Sequence, residues 1–398
     1  MRIGLFTNNY RPLVSGLATS VDTFAQAFCR AGHHVTIVAP RYGVERDEDA
    51  DVVRVPAVRA PTHHAYVLPV PVWPGVRRAV LGCCLEVYHA QHPFLLGAAA
   101  ARWASQTGRP LVFTYHTRYD RYAHYVPGPA RAVGYLAVRR AIRFAAAADL
   151  VIAPTPSVAR ELRALGVHAS VEVVPTGVPL AAMPSQDGNG ISRSRLGVKN
   201  GSPVCLSVGR LAPEKNQTFL LRAFRVVLHE LPTAQLYLVG DGDDRRRLER
   251  LASDLEIGGR VTFVGSVPRA QVVEYANAAD LFLFPSTSET QGLAALEALA
   301  AGLPVVAVAS EAAQDLLQGG DAGVLSPEEP AAFARCIVTL WDAPERRAAM
   351  ALAARQVAAR FSPEACASRL LHLYAELIHA HRGVRVAAGT FRKGGARP

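Results

Sequence analysis

Two glutamates, Glu289 and Glu297, stand eight residues apart, and the residues around them limit what they could do. An apolar run, Leu281–Phe284, is short enough for a buried strand. Pro285, Ser286, Thr287 and Ser288 then break the strand and offer N-cap chemistry. Gly292 to Ala301 reads as a helix ending at Gly302, and Leu303–Val308 opens another strand. Such a strand–loop–helix unit puts its loop at the carboxyl end of the strand, where open α/β sheets bind ligands. Unpaired N–H groups at the helix start, with their partial positive charge, suit an anion such as a nucleotide diphosphate. Glu297, about two turns in, could accept hydrogen bonds from vicinal hydroxyls.

Three further stretches carry groups of the same kind. In Ser207–Asn216, Gly209 permits close backbone approach while Arg210 and Lys215 supply two cations near a strand end. Charge-assisted donors there would stabilise a leaving diphosphate; an ordinary solvated basic loop fits the same residues. In Phe113–Pro127, four tyrosines and two histidines gather after a strand, among them His116, Tyr119, Tyr122, His124 and Tyr125. These could line a pocket for an acceptor. Ser15–Gly16 follows the first strand and reads either as backbone contact with a phosphate or as a helix cap. Gly240–Asp244 might be taken for a metal-binding D-x-D, but turn formation and capping explain it, and the histidines show no metal spacing.

Ser286–Leu293 followed by Glu297–Val306 resembles the E-x7-E signature of the retaining glycosyltransferases of family 4. Gly209–Asn216 resembles that family's G-R-L-x-x-x-K-N loop, and Val261–Gly265 its V-x-F-x-G landmark. The resemblance implies a GT-B fold, in which two Rossmann-like doubly wound α/β domains face each other across a cleft. It also implies roles. Ser15, Gly16, Gly209, Arg210, Lys215, Gly265, Glu289, Thr290, Gln291, Gly292, Leu293 and Glu297 would bind the donor, with Glu297 on ribose. His116, Glu289, Arg210 and Lys215 would serve the reaction itself. Ser15 stands where the family usually carries a first glycine. The run Thr114–Tyr125, with Pro12–Ser20, resembles bacterial diacylglycerol glucosyltransferases. On that resemblance His116, Tyr119, Tyr122, His124 and Tyr125 would meet the acceptor.

The elements needed to position these groups follow from the apolar pattern. Residues 2–7, a helix over Leu17–Ala31 stopped by Gly32, and a strand at His34–Ala39 make a βαβ opening. Strand-like runs return at Asp51–Val55, Leu85–His89, Pro110–Tyr115, Asp149–Ala153 and Val171–Val174. The alternation restarts at Val204–Val208 and continues at Gln235–Val239, Val261–Val264, Asp280–Phe284 and Val305–Val308. Helices are expected near Gln217–Glu230, Asp243–Leu255 and Arg269–Ala276, then through Pro330–His381. The organisation expected is an acceptor domain over 1–180, a linker over 181–202 and a nucleotide-sugar domain over 203–360. A helix over 361–381 would return to the first domain, ahead of a basic tail of low order over 382–398.

Half the residues are hydrophobic and 19% charged, which excludes a disordered chain. No apolar run is long enough to span a bilayer, and the amino terminus lacks a signal peptide's apolar core. The six cysteines show no zinc spacing, and Cys83 and Cys84 are expected to be buried thiols. A formal charge of +10 implies an anionic partner. Nucleic acid is one class that charge alone allows, but no zinc, helix-turn-helix or RNA-binding signature supports it. A membrane surface fits better. Arg131, Arg139, Arg140 and Arg143 lie among apolar residues in Gly128–Ala148, and a basic amphipathic helix can lie in an anionic interface.

The expected activity is therefore transfer of a hexose, glucose from UDP-glucose, to 1,2-diacylglycerol with retention, giving an α-glycosyl-diacylglycerol. The enzyme would be cytoplasmic, peripheral on the inner membrane face and without an obligatory metal, a divalent cation being at most stimulatory. A GDP-mannose- or UDP-galactose-dependent transferase with another lipid or a soluble sugar as acceptor stays open. So does a sugar-nucleotide-binding protein without catalysis.

Overall fold

The computed structural model describes residues 1–13, 15–43, 52–60, 66–73, 75–121, 129–179, 193, 196, 198 and 201–393, with side chains to 382. Two compact units emerge: Met1–Gly177 together with Pro363–Pro398, and Val178–Ser362. Most of the segment 181–202, read as a linker, lies outside the described residues.

The first unit contains strands β1 (Arg2–Phe6), β2 (His34–Pro40), β3 (Val52–Val55), β4 (Ala57–Arg59), β5 (Val67–Pro69), β6 (Val87–Ala90), β7 (Leu111–Thr114), β8 (Leu150–Ala153) and β9 (Val171–Val173). Among the described residues, seven of these form a parallel sheet in the order β3-β2-β1-β6-β7-β8-β9. Its central strands bury both faces, which is why they read as unbroken apolar runs rather than as alternating ones. Helices α1 (Gly16–Arg30), α2 (Val76–Gly82), α3 (Leu96–Thr107), α4 (Ala130–Ala146) and α5 (Pro156–Ala164) connect the strands. The pair β4–β5 is an antiparallel hairpin that the sequence reading did not anticipate; its strands are three residues each, too short for a period to show.

The second unit contains β10 (Val204–Val208), β11 (Gln235–Val239), β12 (Val261–Gly265), β13 (Leu281–Phe284), β14 (Val305–Val308) and β15 (Gly323–Ser326). They form a parallel sheet in the order β12-β11-β10-β13-β14-β15. Its helices are α6 (Gln217–Glu230), α7 (Arg245–Asp254), α8 (Arg269–Ala278), α9 (Leu293–Ala300), α10 (Glu311–Leu316), α11 (Pro330–Trp341) and α12 (Pro344–Ala359). Phe224, Phe333, Leu281 and Ile337 are central to one core cluster; Phe282, Leu296, Val305 and Ala354 are central to another. The strand β15 also went unread. It is four residues long and starts at Gly323, where a Cβ would lie 2.5 Å from the Val305 carbonyl oxygen, so only Val324 and Leu325 announce it.

The last helix, α13 (Pro363–Lys393), belongs to the first unit. It packs on α1, where Tyr374 meets Phe28 edge-to-face at 5.8 Å and Leu370 and Ile378 are buried. The backbone stays helical to Lys393, past Arg382, where the sequence suggested that the helix gives way to a tail of low order. Cys84 departs from expectation too. It is exposed in a left-handed turn (φ 51°), because α2 ends there and the chain must reverse into β6.

Candidate functional site

Both sheets place their unusual side chains where the strand order reverses, the point at which adjacent loops diverge and leave a crevice. In the first unit the reversal lies between β1 and β6; in the second it lies between β10 and β13.

At the β10–β13 reversal, the loop after β10 carries Gly209, Arg210, Glu214 and Lys215, and the loop after β13 carries Ser286, Ser288 and Glu289. Lys215 Nζ is ion-paired with Glu289 Oε1, joining residues 74 apart in sequence. Arg210 reaches Glu214, four residues on within the same loop, at 2.6 Å. Ser288 donates to the Glu214 carbonyl at 2.8 Å, and Asn216 donates to the Pro285 carbonyl at 3.2 Å and to Glu328 at 2.7 Å. These bonds hold the two loops in register, so the cations sit on a braced frame.

Neighbouring loops support this frame by close packing. A Cβ on Gly240 would lie 2.1 Å from the Gly209 carbonyl oxygen, and one on Gly242 would lie 2.2 Å from that of Leu211. Leu211 donates to the Asp241 carbonyl at 3.0 Å, and Gly240 to that of Gly265 at 2.9 Å. Asp241 and Asp244 pair with Arg245 and Arg247. The Gly-Asp-Gly-Asp-Asp loop is thus a packing and ion-pairing device; the expected capping is not seen, since Asp244 makes no side-chain cap on α7 and turns to Arg247 instead. Among the described residues, no group of three or more His, Cys, Asp or Glu could hold a metal ion.

Helix α9 begins at Gly292, which has φ +78° and whose added Cβ would lie 3.0 Å from the Phe284 ring. No side chain caps that end. Gln291 is buried, Thr290 and Leu293 partly so. Glu297 pairs with Arg269 at 2.8 Å. Burial raises the Glu297 pKa and the Arg269 guanidinium lowers it.

The β1–β6 reversal has a different chemistry. His89 is buried, with Nε2 2.6 Å from Thr114 Oγ1 and Nδ1 2.6 Å from the Tyr374 hydroxyl. His92 accepts from the Asn8 backbone N–H at 3.2 Å, and His116 Nε2 donates to Gln91 Oε1 at 2.6 Å. Burial pushes His89 and His116 down to about 3 and His92 to about 4; His116 is lowered further by His92 and His89. All three are neutral at pH 7.

Other sequence candidates fall into place unevenly. Ser15 caps α1, accepting from Ala18 N–H at 3.2 Å, and Gly16 is the first helical residue. Tyr119, expected at an acceptor pocket, is instead a core residue. The chain turns back after β7, so its ring packs edge-on against Phe94 and Tyr115 at 5.5 and 5.6 Å. Tyr122, His124 and Tyr125 lie outside the described residues. Arg131, Arg139, Arg140 and Arg143 are exposed on α4, whose Ala141, Phe144 and Ala145 pack on the core. Tyr135 and Leu136 are the large apolar side chains exposed on that helix, at 65% and 60%. Among the described residues, no helix is long and apolar enough to cross a membrane.

Sequence reading missed Gln91, Glu214, Arg269 and the Tyr374 partner of His89. Even the Arg210–Glu214 spacing of four gave no helical signal, since Arg210 lies in the loop ahead of the short turn Pro213–Lys215.

The family described as Glycosyltransferase Family 4 matches residues 14–182, and Glycosyl transferases group 1 matches residues 190–357. An alpha-monoglucosyldiacylglycerol synthase of Streptococcus pneumoniae is 36% identical over 316 residues, 77% of this chain and 71% of that protein. A GDP-mannose-dependent alpha-(1-6)-phosphatidylinositol dimannoside mannosyltransferase of Mycobacterium tuberculosis is 31% identical over 351 residues, covering 87% and 89%. Among solved structures, sucrose-phosphate synthase from Thermosynechococcus elongatus superimposes with a TM-score of 0.80 at 24% identity, covering 95% and 99%. That likeness identifies the fold as GT-B, with two Rossmann-like α/β units.

Proposed function

The chain belongs to glycosyltransferase family 4, and from that membership we propose a retaining transfer of glucose from UDP-glucose to 1,2-diacylglycerol at a membrane surface. The observation that carries the reading is the Lys215–Glu289 pair at the β10–β13 reversal, with Arg210 on the same braced loop. Two cations beside the uncapped start of α9 suit a diphosphate. The glucose and the lipid acceptor are supported by the name of the S. pneumoniae relative and by the tyrosine- and histidine-rich run.

In the reaction, the bond between the anomeric carbon and the diphosphate oxygen breaks, and the nucleoside diphosphate leaves with the electron pair. Arg210 and Lys215 stabilise the charge that develops on it. The acceptor oxygen forms its bond on the same face, and its proton passes to the departing phosphate. No enzyme carboxylate is needed as a nucleophile. Glu289 holds Lys215 and meets sugar hydroxyls; His116, neutral, serves the sugar as a hydrogen-bonding group; Glu297 takes the ribose. Gly209, Gly265, Thr290, Gln291, Gly292 and Leu293 shape the donor's surroundings, and Ser15 and Gly16 contribute backbone contact. The arginine face of α4, with Tyr135 and Leu136, meets anionic lipid. No obligatory metal enters the scheme.

The test is label transfer in mixed micelles with UDP-glucose, UDP-galactose or GDP-mannose, with and without diacylglycerol. Label in the organic phase only with UDP-glucose and diacylglycerol is the expected result. Transfer from GDP-mannose would favour a second reading, supported by the longer match to the M. tuberculosis mannosyltransferase. Donor hydrolysis without lipid product would overturn the acceptor. Turnover that needs no anionic vesicle, and equal binding to neutral and anionic vesicles, would remove the membrane role.

A further inference from the structure

Within the second unit, beside the β10–β13 reversal, lies a cavity of about 220 Å³. Leu206 and Val208 of β10, Phe282 of β13, Val272 and Ala276 of α8, and Ala298 of α9 form much of its wall. Among its described lining residues, only Arg269 and Glu297 have polar side chains. They are each other's partner, Arg269 Nη2 lying 2.8 Å from Glu297 Oε1. Among the side chains of that wall, this ion pair alone offers a polar edge a partner. Apolar pockets fix a ligand's orientation through few polar groups of this kind.

The two partners are unequally placed. Arg269 opens α8 and is 49% exposed, whereas Glu297 sits within α9 at 29%. A lone carboxylate against apolar walls is costly, and its charged form needs a nearby cation. Arg269 supplies that cation, its Nη2 lying against Oε1. A carboxylate clamped in this way has a fixed direction; without the clamp it rotates among rotamers and loses entropy on binding.

We propose that Arg269 is the positioning and specificity residue of the ribose subsite, orienting the Glu297 carboxylate so that it accepts from the ribose hydroxyls. The inference rests on the assignment of Glu297 to ribose. Arg269 contributes to recognition of the nucleoside part of the donor and leaves the chemical step untouched.

Calorimetric binding of UDP and 2′-deoxy-UDP to the full chain, wild type, Arg269→Gln and Arg269→Lys, tests it; GDP and 2′-deoxy-GDP replace them if the donor proves to be a guanosine nucleotide. Wild type is expected to prefer the ribonucleotide about tenfold, as a hydrogen bond to a charged group allows. Arg269→Gln is expected to bring that ratio close to one and to raise the donor KM about tenfold with kcat little changed. Arg269→Lys keeps a cation and should restore part of the preference, and thermal melting confirms that each variant is folded. Equal binding of the two nucleotides by wild type would overturn the ribose assignment and this inference with it. A preference that survives in Arg269→Gln would overturn the inference alone. So would an equal loss for both nucleotides, which would place Arg269 on another part of the donor.

Discussion

The two strand-order reversals solve the same problem in opposite ways. Between β10 and β13, functional side chains are charged and paired: Lys215 with Glu289, Arg210 with Glu214, Arg269 with Glu297. Between β1 and β6, they are histidines kept neutral by burial and held by uncharged partners, Gln91, Thr114, Tyr374 and the Asn8 backbone. The difference follows from what each location can neutralise. A partly exposed loop pair can bring opposite charges together at modest desolvation cost, whereas a buried strand end favours groups that give up charge. Under the proposed function the β10–β13 region would receive a diphosphate, for which cations are ready, and the β1–β6 region a hydroxyl-bearing sugar, which neutral donors and acceptors suit.

The sharpest break of this contrast is Lys215→Ala. It removes a cation and leaves Glu289 without that partner, and transfer is expected to fall about 100-fold or more; Glu289→Ala should do similar damage. Activity within a few-fold of wild type in either variant would end the assignment. The histidines predict a second difference, in pH. Their folded pKa values lie below the unfolded value, so the unfolded chain binds more protons as pH falls through 6.5 towards 4. Stability is therefore complete above about pH 6.5 and is lost on acidification, by about 2 kcal/mol per histidine at pH 5. Hydrogen exchange should show the loss in β6 and β7 and spare β10 and β13; an equal loss in both sheets would dissolve the contrast. Smaller again is Tyr374→Phe, which leaves His89 Nδ1 without its donor or acceptor and should cost about 1–2 kcal/mol by urea unfolding. The smallest effect on stability belongs to Leu136→Ser on exposed α4, within about 0.5 kcal/mol. Vesicle sedimentation should nonetheless show weaker binding, and unchanged binding would separate this face from the membrane.

Much of the sheet framework was legible because doubly buried parallel strands are written as apolar runs. Val204–Val208, Gln235–Val239 and Val305–Val308 have the same limits in sequence and structure. The types of the site residues were legible too, since a cation pair after one strand and two glutamates around a helix start limit the chemistry. Their partners were not. Lys215 meets Glu289 across 74 residues and His116 meets Gln91 across 25, and no local period encodes such pairs. Tyr119 shows the opposite failure: an aromatic hydroxyl looks like recognition in sequence, yet the ring's packing value draws it into the core.

Because Tyr374 and its neighbours on α13 complete the core around Phe28 and His89, the first unit is assembled from both ends of the chain. This has a consequence for synthesis. A ribosome releases the whole of Val178–Ser362 before the residues that cover α1 and β6 exist. The second unit is thus free to fold as a continuous segment while the first waits with an apolar face uncovered. Contacts that close a core over more than 280 residues are slow to form, since loop closure must precede them. A nascent chain stalled before Pro363 would hold a finished second unit and an unfinished first, and chaperones would be expected to attend the latter.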